Sequence, residues 1–353
     1  MTSPSVPDPL RAELLGDPSL FPQKLDLARE RVLFIRMSRQ DYEAASFLDD
    51  RILTPTTKGQ WLRFTHLDRL LAGARPQVPL GFIFHAGHVG STLLSRLIEA
   101  AGGVLALREP LPLQTLAAAA DALEDAAPSV SAERFEALAR GQLLLWRRAY
   151  PDTRFTLVKA TSAAARLGPR LLALEPEARA IHLNLRPEPY LAALLAGENS
   201  PLDLKGFGGE RIARLARLGA PSLQPLDQLS LGELAAMTWA AETVNAAAIG
   251  NAVGPRLLRL DFDDLLADPC ATLARACAHL GIVANAPYLA GANESPLLRV
   301  YSKAMDLPFS PELRQEILRQ SRSRHGAEIS KGLAWLEALA RNWPTAARAL
   351  SIH

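Results

Sequence analysis

The fold of this chain is decided by the stretch Gly81-Phe-Ile-Phe-His-Ala-Gly-His-Val-Gly-Ser-Thr-Leu-Leu-Ser-Arg-Leu-Ile98. An apolar run from Leu80 to Phe84 leads into a turn that contains Gly87 and Gly90, and a helical pattern begins at Ser91. The first N–H groups of a helix lack backbone partners, and the helix dipole adds about half a positive charge there. The stretch therefore predicts a buried strand, a loop that can bind an anion, and a helix. An ordinary strand–turn–helix junction capped by Ser91 would give the same pattern.

The loop differs from that of ATPases and GTPases. Their pattern is G-x-x-x-x-G-K-[ST], in which the lysine reaches the terminal phosphates. When the two patterns are aligned on Gly90, Ser91 stands where the lysine belongs and His85 stands where the first glycine belongs. Because the lysine is missing, hydrolysis of a nucleoside triphosphate is disfavoured.

The loop instead resembles the 5′-phosphosulfate loop of sulfotransferases, roughly P-[RK]-x-G-[ST]-T-x-L. The matching positions are Gly90, Ser91, Thr92 and Leu94. Gly87 replaces the proline and His88 replaces the cation; a histidine can donate to the bridging oxygen but is only partly charged near neutral pH. The resemblance implies that the 5′-phosphosulfate of 3′-phosphoadenosine-5′-phosphosulfate is bound by Gly87, His88, Val89, Gly90, Ser91 and Thr92.

A later strand extends the resemblance. In sulfotransferases the strand that corresponds to residues 179–185 ends in an arginine, and the arginine and a serine of the next helix hold the 3′-phosphate of the donor. Arg186 matches the arginine, whereas Ala192, Ala193 and Leu194 occupy the region of the serine. A guanidinium at the carboxyl end of a parallel strand lies where open α/β sheets bind ligands. The alternative is a strand-end arginine in a surface ion pair.

The segment Leu107-Arg-Glu-Pro110 follows another predicted strand. In bacterial sulfotransferases and in related carbohydrate and tyrosine enzymes, a glutamate at a similar place is the base that acts on the acceptor hydroxyl, and Glu109 matches it. A carboxylate suits this task if burial raises its pKa. The alternative is an exposed loop glutamate paired with Arg108.

Two further segments agree with the family. Residues 256–281 look like its late strand and helix, with Asp268 as the N-cap and Gly281 as the stop, and we assign this block no chemistry. The segment 298–303 resembles the basic loop that closes over the donor, which makes Arg299 and Lys303 candidates for donor binding. Lys303, or Lys159 at the end of the strand 155–159, would supply the cation that His88 replaces.

Composition bounds the remaining classes of function. The 353 residues are 48% hydrophobic and carry a net charge of +2, without a basic tract, so nucleic-acid binding has little support. Cys270 and Cys277 lie about two turns apart on one predicted helix and cannot easily bridge. The scattered histidines form no metal-ligand pattern. Without a signal peptide or an apolar stretch of about twenty residues, we expect a soluble cytoplasmic protein.

Strands and helices alternate from residue 80 onward, which predicts a parallel sheet with helices on both faces. Strands are predicted over 80–85, 104–107, 155–159, 179–185 and 256–261. Helices are predicted over 24–37, 40–45, 61–74, 132–148, 231–249 and 310–349. The two inserts over 111–153 and 190–254 are expected to be mostly helical, and the glycines of 201–209 predict a connector or a mobile lid. We expect 283–309 to be rich in loops.

The fold implied is the P-loop three-layer α/β fold, with a central five-stranded parallel sheet, helices on both faces and helical inserts. Residues 1–76 would be a mostly helical segment, 77–282 the core, and 283–353 loops and helices that complete the same domain. The implied activity is sulfuryl transfer from 3′-phosphoadenosine-5′-phosphosulfate to a hydroxyl or amine of a small-molecule or carbohydrate acceptor, without a metal. The alternatives are a non-catalytic relative that binds a phosphorylated ligand or a protein, and a nucleotide-dependent phosphotransferase.

Overall fold

A computed structural model of the protein describes residues 9–123 and 128–350. Residues 1–8, 124–127 and 351–353 lie outside the described residues; they include part of the proline-rich N-terminus and part of the first predicted insert. Within the described ranges, no helix combines the length and the apolar composition that crossing a membrane requires.

The N-terminal region contains an antiparallel sheet with strand order β1-β2-β3. Its elements are α1 (Pro9–Gly16), β1 (Leu20–Asp26), β2 (Arg31–Arg36), α2 (Arg39–Ala44), β3 (Gly59–Arg63) and α3 (Phe64–Leu71). The helix predicted over 24–37 is therefore wrong, because β1 and β2 form a hairpin there. Val32 and Phe34 are buried on alternate positions of β2, and β-branched and aromatic residues favour strands.

The other two N-terminal helices are present. The helix predicted over 40–45 is confirmed as α2, which Ser38 and Asp41 close with a capping box. The helix predicted over 61–74 begins only at Phe64, because the residues before it pair with β2. The division of the chain at residues 76 and 282 stays a prediction.

The core of the protein is a five-stranded parallel sheet with strand order β5-β6-β4-β7-β8. The strands are β4 (Leu80–His85), β5 (Val104–Arg108), β6 (Phe155–Lys159), β7 (Arg179–Asn184) and β8 (Leu257–Asp261). All five predicted strands are confirmed, with ends within one residue of the expected positions. Because the strands are parallel, their carboxyl ends meet at one edge of the sheet, and β4 ends at the middle of that edge.

Helices cover both faces of this sheet, which gives the three-layer arrangement that the sequence predicts. They are α4 (Ser91–Ala100), α5 (Leu111–Ala122), α6 (Ala132–Trp146), α7 (Gly168–Leu174), α8 (Pro187–Leu195), α9 (Ser200–Gly206), α10 (Gly208–Arg217), α11 (Leu231–Val253), α12 (Phe262–Ala267) and α13 (Pro269–Leu280). Ile83 shares a hydrophobic core with α4, α8 and α13 on one face. Phe82 shares a second core with α5, α6 and α7 on the other face.

The predicted loop over 201–209 is wrong, because this segment is helical. The helices α9 and α10 follow one another with only Phe207 between them. Pro201 lies in the first turn of α9, where the missing N–H has no partner to lose. Gly208 lies against Leu226, and a Cβ at Gly208 would overlap that side chain. The glycine therefore allows close packing and does not mark a flexible lid.

The C-terminal part contains a short hairpin and a long helix. Its elements are α14 (Ala286–Ala290), β9 (Val300–Tyr301), β10 (Ala304–Pro308), α15 (Pro311–Asn342) and α16 (Pro344–Leu350). The helix predicted over 310–349 is present as two helices, and α15 is kinked at His325, whose φ of −116° and ψ of 16° are not helical. Asp268 caps α13 and Gly281 ends it with a φ of 74°, as predicted.

Candidate active site

The loop after β4 adopts a left-handed backbone at several positions. The φ angles are 84° at Gly87, 55° at His88 and 70° at Gly90. A Cβ at Gly90 would overlap the ring of Phe262 from α12, so no other residue fits there without displacing that ring. The positive φ of His88 is uncommon for a residue with a side chain, and such strain occurs at functional sites. The conformation of the loop therefore depends on which residue stands at each of these positions.

The loop leaves the start of α4 open. The N-cap of α4 is Gly90, and no side chain caps the helix, so the alternative in which Ser91 caps an ordinary junction is wrong. Ser91 and Thr92 are buried, and the hydroxyl of Thr92 has no hydrogen-bond partner among the described residues. Unpaired N–H groups and a free buried hydroxyl at a helix start can bind an anionic oxygen. Val89 is buried beneath the loop and contributes its backbone alone.

His85 holds the base of the loop. Its Nδ1 accepts a hydrogen bond of 3.0 Å from the N–H of Gly87, and its Nε2 lies 2.8 Å from the carbonyl oxygen of Ala160. These partners require Nδ1 to be the acceptor and Nε2–H to be the donor. Burial, and next the charge of Lys159, lower the pKa of His85 well below its usual value. The sequence placed His85 in the loop alignment without a role, and its signal was a histidine at the end of a buried strand.

Glu109 and Lys159 form a buried ion pair beside the loop. Glu109 directly follows β5 with a φ of 54°, and its N–H donates a 2.6 Å hydrogen bond to the carbonyl oxygen of Lys159 on the neighbouring strand. The Lys159 ammonium, which is 0% exposed, donates to Glu109 Oε1. Burial outweighs the attraction of Glu109 and lowers the pKa of Lys159 to about 8. His85 Nε2 lies 4.0 Å from the same carboxylate oxygen.

The alternative in which Glu109 is an exposed residue paired with Arg108 is wrong. Arg108 is buried and forms an ion pair with Glu99 of α4. It also donates hydrogen bonds to the carbonyl oxygens of Tyr42 (3.0 Å) and Ala45 (3.1 Å), which tie α2 to the sheet. Arg108 therefore has a structural role, and Glu109 is left to the site.

Lys303 comes to this edge from the turn between β9 and β10. The turn is fixed by Arg96 of α4, which donates a 3.1 Å hydrogen bond to the carbonyl oxygen of Ser302. Burial lowers the pKa of Lys303, and Glu109 acts on it as the nearby opposite charge. Lys303 Nζ also lies 5.7 Å from the ring centre of Phe47. The structure thus brings the C-terminal cation toward the carboxylate that ends β5.

His88 is exposed, so water screens its surroundings in part. Desolvation, and next the ammonium of Lys303, nevertheless lower the pKa of His88, and its ring is neutral at pH 7. A neutral imidazole can donate one hydrogen bond but carries no charge. Arg299 is also exposed, and its guanidinium makes no hydrogen bond or ion pair with another described residue. Of the two C-terminal candidates, only Lys303 is brought to Glu109.

Arg186 lies on the other side of the loop, at the end of β7. It is exposed and forms no ion pair with another described residue, so the surface-ion-pair alternative is not found there. It lines a pocket of about 600 Å³ together with the carboxylates of Asp261, Asp263 and Asp264. Burial raises the pKa of Asp261, and Arg186 opposes that rise.

The region of the absent serine receives a serine from another helix. Ser321 of α15 donates a 2.7 Å hydrogen bond to the carbonyl oxygen of Ala192. Its hydroxyl is buried and engaged with the backbone, so it is not free for a ligand in this arrangement. Arg186 therefore remains the candidate for the 3′-phosphate, and Arg259 of β8 lines the same pocket.

Comparison with known proteins finds similarity to solved structures at low sequence identity. No protein-family model and no curated protein matches the sequence. A sulfotransferase domain from the curacin biosynthetic pathway matches with 14% identity and a TM-score of 0.39, over 71% of this chain and 99% of that one. A mouse sulfotransferase complexed with PAP matches with 12% identity and a TM-score of 0.39, over 78% and 89%. A sulfotransferase from Mycobacterium avium matches with 12% identity and a TM-score of 0.36, over 92% and 97%.

Proposed function

We propose that this protein transfers a sulfuryl group from 3′-phosphoadenosine-5′-phosphosulfate to a hydroxyl or amine acceptor. The observation that carries the proposal is the Glu109 carboxylate, buried beside an uncapped helix start and held by Lys159. A base and an anion-binding loop at one edge of the sheet are what this reaction needs. The buried, unpartnered Thr92 hydroxyl and the glycine turn fit an anionic oxygen of the donor.

The transfer requires that one bond forms while another breaks. The acceptor oxygen or nitrogen bonds to sulfur as the bond between sulfur and the bridging oxygen breaks. Glu109 takes the proton of the acceptor group, and the bridging oxygen leaves with the 5′-phosphate. The loop N–H groups and the Lys303 ammonium stabilise the negative charge that grows on that oxygen, in the manner of an oxyanion hole. Lys303 supplies the positive charge that the neutral His88 lacks.

Lys159 keeps Glu109 in its anionic, proton-accepting form. A carboxylate with an ammonium partner stays ionised but is a weaker base than an isolated buried carboxylate. The pKa of Lys159, about 8, lets the pair lose its positive charge at mildly alkaline pH. Activity in this scheme changes as Lys159 titrates near pH 8. The profile belongs to the pair and not to either residue alone.

A non-catalytic relative that binds a phosphorylated ligand is the second candidate. The same ion pair favours it, because Glu109 Oε1 already accepts a hydrogen bond from Lys159. Under this second function, Glu109→Gln leaves ligand binding and biological role intact.

Calorimetric titration with 3′-phosphoadenosine-5′-phosphate (PAP), the stable product of the donor, tests the proposed function. We expect a Kd of about 1–10 µM for the unaltered chain. Arg186→Ala should weaken binding by about 10- to 100-fold, since a charge-assisted hydrogen bond contributes about 1.5–3 kcal/mol. Arg324→Ala, at an exposed position of α15, is the control and should bind like the unaltered chain. A folded protein that does not bind PAP would overturn the proposed function.

A further inference from the structure

A second cavity opens beside the loop, on the side away from Arg186. Its volume is about 540 Å³, within the range of about 300–1,000 Å³ for small-molecule pockets. We name it the side cavity; its walls come from α5, from the residues after β6, and from α9, α10 and α11, and include Gln114, Asp121, Ser162, Arg166, Phe207 and Glu242. It lies on the side of the sheet where β6 carries Lys159.

The side cavity reaches the loop. Ser162 Oγ lies 3.6 Å from the position that a Cβ of Gly87 would occupy, so this wall residue contacts the loop. Asp203 and Arg211, which line the cavity, are also among the charged groups that act on His88. The cavity therefore adjoins the loop through Ser162, three residues after Lys159.

The charges of the cavity wall are paired within the wall. The pairs are Asp121 with Arg166 (2.9 Å), Glu210 with Arg166 (3.2 Å), Asp203 with Arg211 (2.9 Å) and Glu242 with Arg214 (2.8 Å). An anionic ligand meets no guanidinium without a carboxylate partner here, and a cationic ligand meets no carboxylate without a guanidinium partner. The wall therefore favours a ligand without net charge.

The wall nevertheless keeps many positions for hydrogen bonds. A carboxylate has about four acceptor sites and a guanidinium five donors, so each paired group retains some of them. The side chains of Gln114, Thr161 and Ser162 make no hydrogen bond to another described residue. These groups can bind several hydroxyls of one ligand at the same time.

The buried pair of Arg214 and Glu242 adds an independent observation. Both residues line the cavity, at 4% and 2% exposed, and Arg214 Nε and Glu242 Oε2 have no partner among the described residues. An unpartnered buried polar atom costs roughly 1–3 kcal/mol, and such groups are retained where a ligand completes them. The unpartnered donor and the unpartnered acceptor are both groups that a hydroxyl can satisfy, since a hydroxyl donates and accepts.

The rim provides one aromatic surface. Phe207, between α9 and α10, is 53% exposed, and Arg211 lies 5.8 Å from its ring centre. The remaining apolar side chains of the wall are small, such as Ala118 and Ala163, and do not form a flat apolar surface. A cavity of paired charges and free hydroxyls with one aromatic face differs from the apolar, aromatic-lined pocket that a phenol requires.

We infer that the side cavity receives the acceptor, and that the acceptor is a neutral, hydroxyl-rich molecule of the sugar type. This inference rests on the proposed function, since the loop and Glu109 would act on the hydroxyl that the cavity presents. The wall residues select the acceptor through hydrogen bonds, and Phe207 packs against the C–H face of its ring.

The test measures ligand binding to the full chain without any donor, by saturation-transfer NMR. The probes are maltose and N-acetylglucosamine as neutral sugars, glucose 6-phosphate as an anion and 2-naphthol as a phenol. We expect the neutral sugars to bind and the other two probes to bind at least tenfold more weakly. Ala118→Trp, at an exposed position of the wall, should abolish sugar binding by filling the cavity. Ala137→Trp, an exposed alanine of α6, is the matched control.

A second variant keeps the test valid if Ala118→Trp does not fold. Phe207→Ala removes an exposed ring and should weaken sugar binding at least tenfold without loss of fold. PAP titration of the same samples separates this inference from the proposed function. PAP binding without sugar binding, sugar binding unchanged in both variants, or preferred binding of 2-naphthol would overturn the inference alone. A folded chain that binds no PAP would overturn the proposed function instead.

Discussion

The two halves of the sheet edge hold their charged groups in opposite ways. On the β5–β6 side, Lys159 is 0% exposed and its charge is matched by Glu109 within the protein. On the β7–β8 side, Arg186 is exposed, has no ion-pair partner among the described residues, and lies in a pocket with Asp261. The first half pairs its charges within the protein, whereas the second leaves its cation exposed and without an ion-pair partner among the described residues.

This difference determines how large an effect a substitution should have on each side. Breaking a buried ion pair by removing one partner costs about 3–5 kcal/mol, because a charge is left buried and unpaired. Exposed charges interact through water, and a typical exposed pair contributes about 0–1 kcal/mol. Substitutions on the β5–β6 side should therefore have large effects, and those on the β7–β8 side should change ligand affinity by modest factors.

The largest effect should follow from Glu109→Gln on the β5–β6 side. The amide keeps the shape and one acceptor oxygen for Lys159 but cannot take a proton. We expect sulfuryl transfer, measured with radiolabelled donor, to fall by about 10²- to 10⁴-fold. PAP binding should be unchanged, because the substitution leaves the loop intact. Glu175→Gln, which alters a half-buried pair with Arg147 away from the loop, is the control and should keep full activity.

Retention of full transfer in Glu109→Gln would show that the carboxylate only holds Lys159. It would move the second candidate function ahead of the first, provided that PAP still binds.

The next effect is the loss of stability in Lys159→Met. Without the ammonium, Glu109 becomes a buried carboxylate without a counter-ion, and the free energy of unfolding should fall by about 3–5 kcal/mol in urea denaturation. The double variant Lys159→Met with Glu109→Gln should recover part of this loss, since it removes the orphaned charge. Lys331→Met breaks an exposed pair with Glu328 and should cost no more than about 1 kcal/mol. Equal losses in the two single variants would mean that the edge pair is not effectively buried.

A third prediction uses pH to examine the β7–β8 side. Burial lowers the pKa of His182 on β7 to about 3, against about 6.5 in the unfolded chain. Between these values the unfolded chain binds more protons, so stability is lost as the pH falls from about 6.5 toward 3. At pH 4.5 the loss from this one group is roughly 2–3 kcal/mol. His182→Gln should therefore lose less stability than the unaltered chain between pH 7 and pH 4.5.

His66→Gln on α3 is the control for that comparison and should follow the unaltered chain. An identical loss of stability in His182→Gln and in the unaltered chain would contradict a buried neutral His182.

Local sequence patterns predicted the strands of the parallel core. They did not predict the N-terminal hairpin, which depends on pairing between distant residues. Each strand of the core is an apolar run, and the stop at Gly281 follows from one residue type at one position. The hairpin of β1 and β2 was predicted as a helix, because its apolar residues also fit a helical period over a short window. The alternation at Val32 and Phe34 indicates a strand only once β2 pairs with β3, which lies far along the chain.

The candidate site divides in the same way. The loop at Gly90 could be predicted because its residues are contiguous and each has a local reason. The pair of Glu109 and Lys159 could not, because the two residues are 50 positions apart and meet only through the register of β5 on β6. The alternative in which Glu109 is exposed and paired with Arg108 fails, because Arg108 pairs with Glu99 of α4.

The smallest effect should be seen in Asp261→Asn, which concerns the β7–β8 side alone. The asparagine side-chain oxygen can still accept the 2.7 Å hydrogen bond from the Asp263 N–H, which caps α12. The substitution removes a negative charge near Arg186. If Arg186 binds the 3′-phosphate, PAP affinity should rise by about two- to fivefold, equivalent to about 0.5–1 kcal/mol. The gain should shrink at high salt, since exposed charges are screened. Asp227→Asn, an exposed aspartate, is the control. Weaker PAP binding in Asp261→Asn would mean that the carboxylate orients Arg186. The β7–β8 side would then hold its cation with a carboxylate, as the β5–β6 side does.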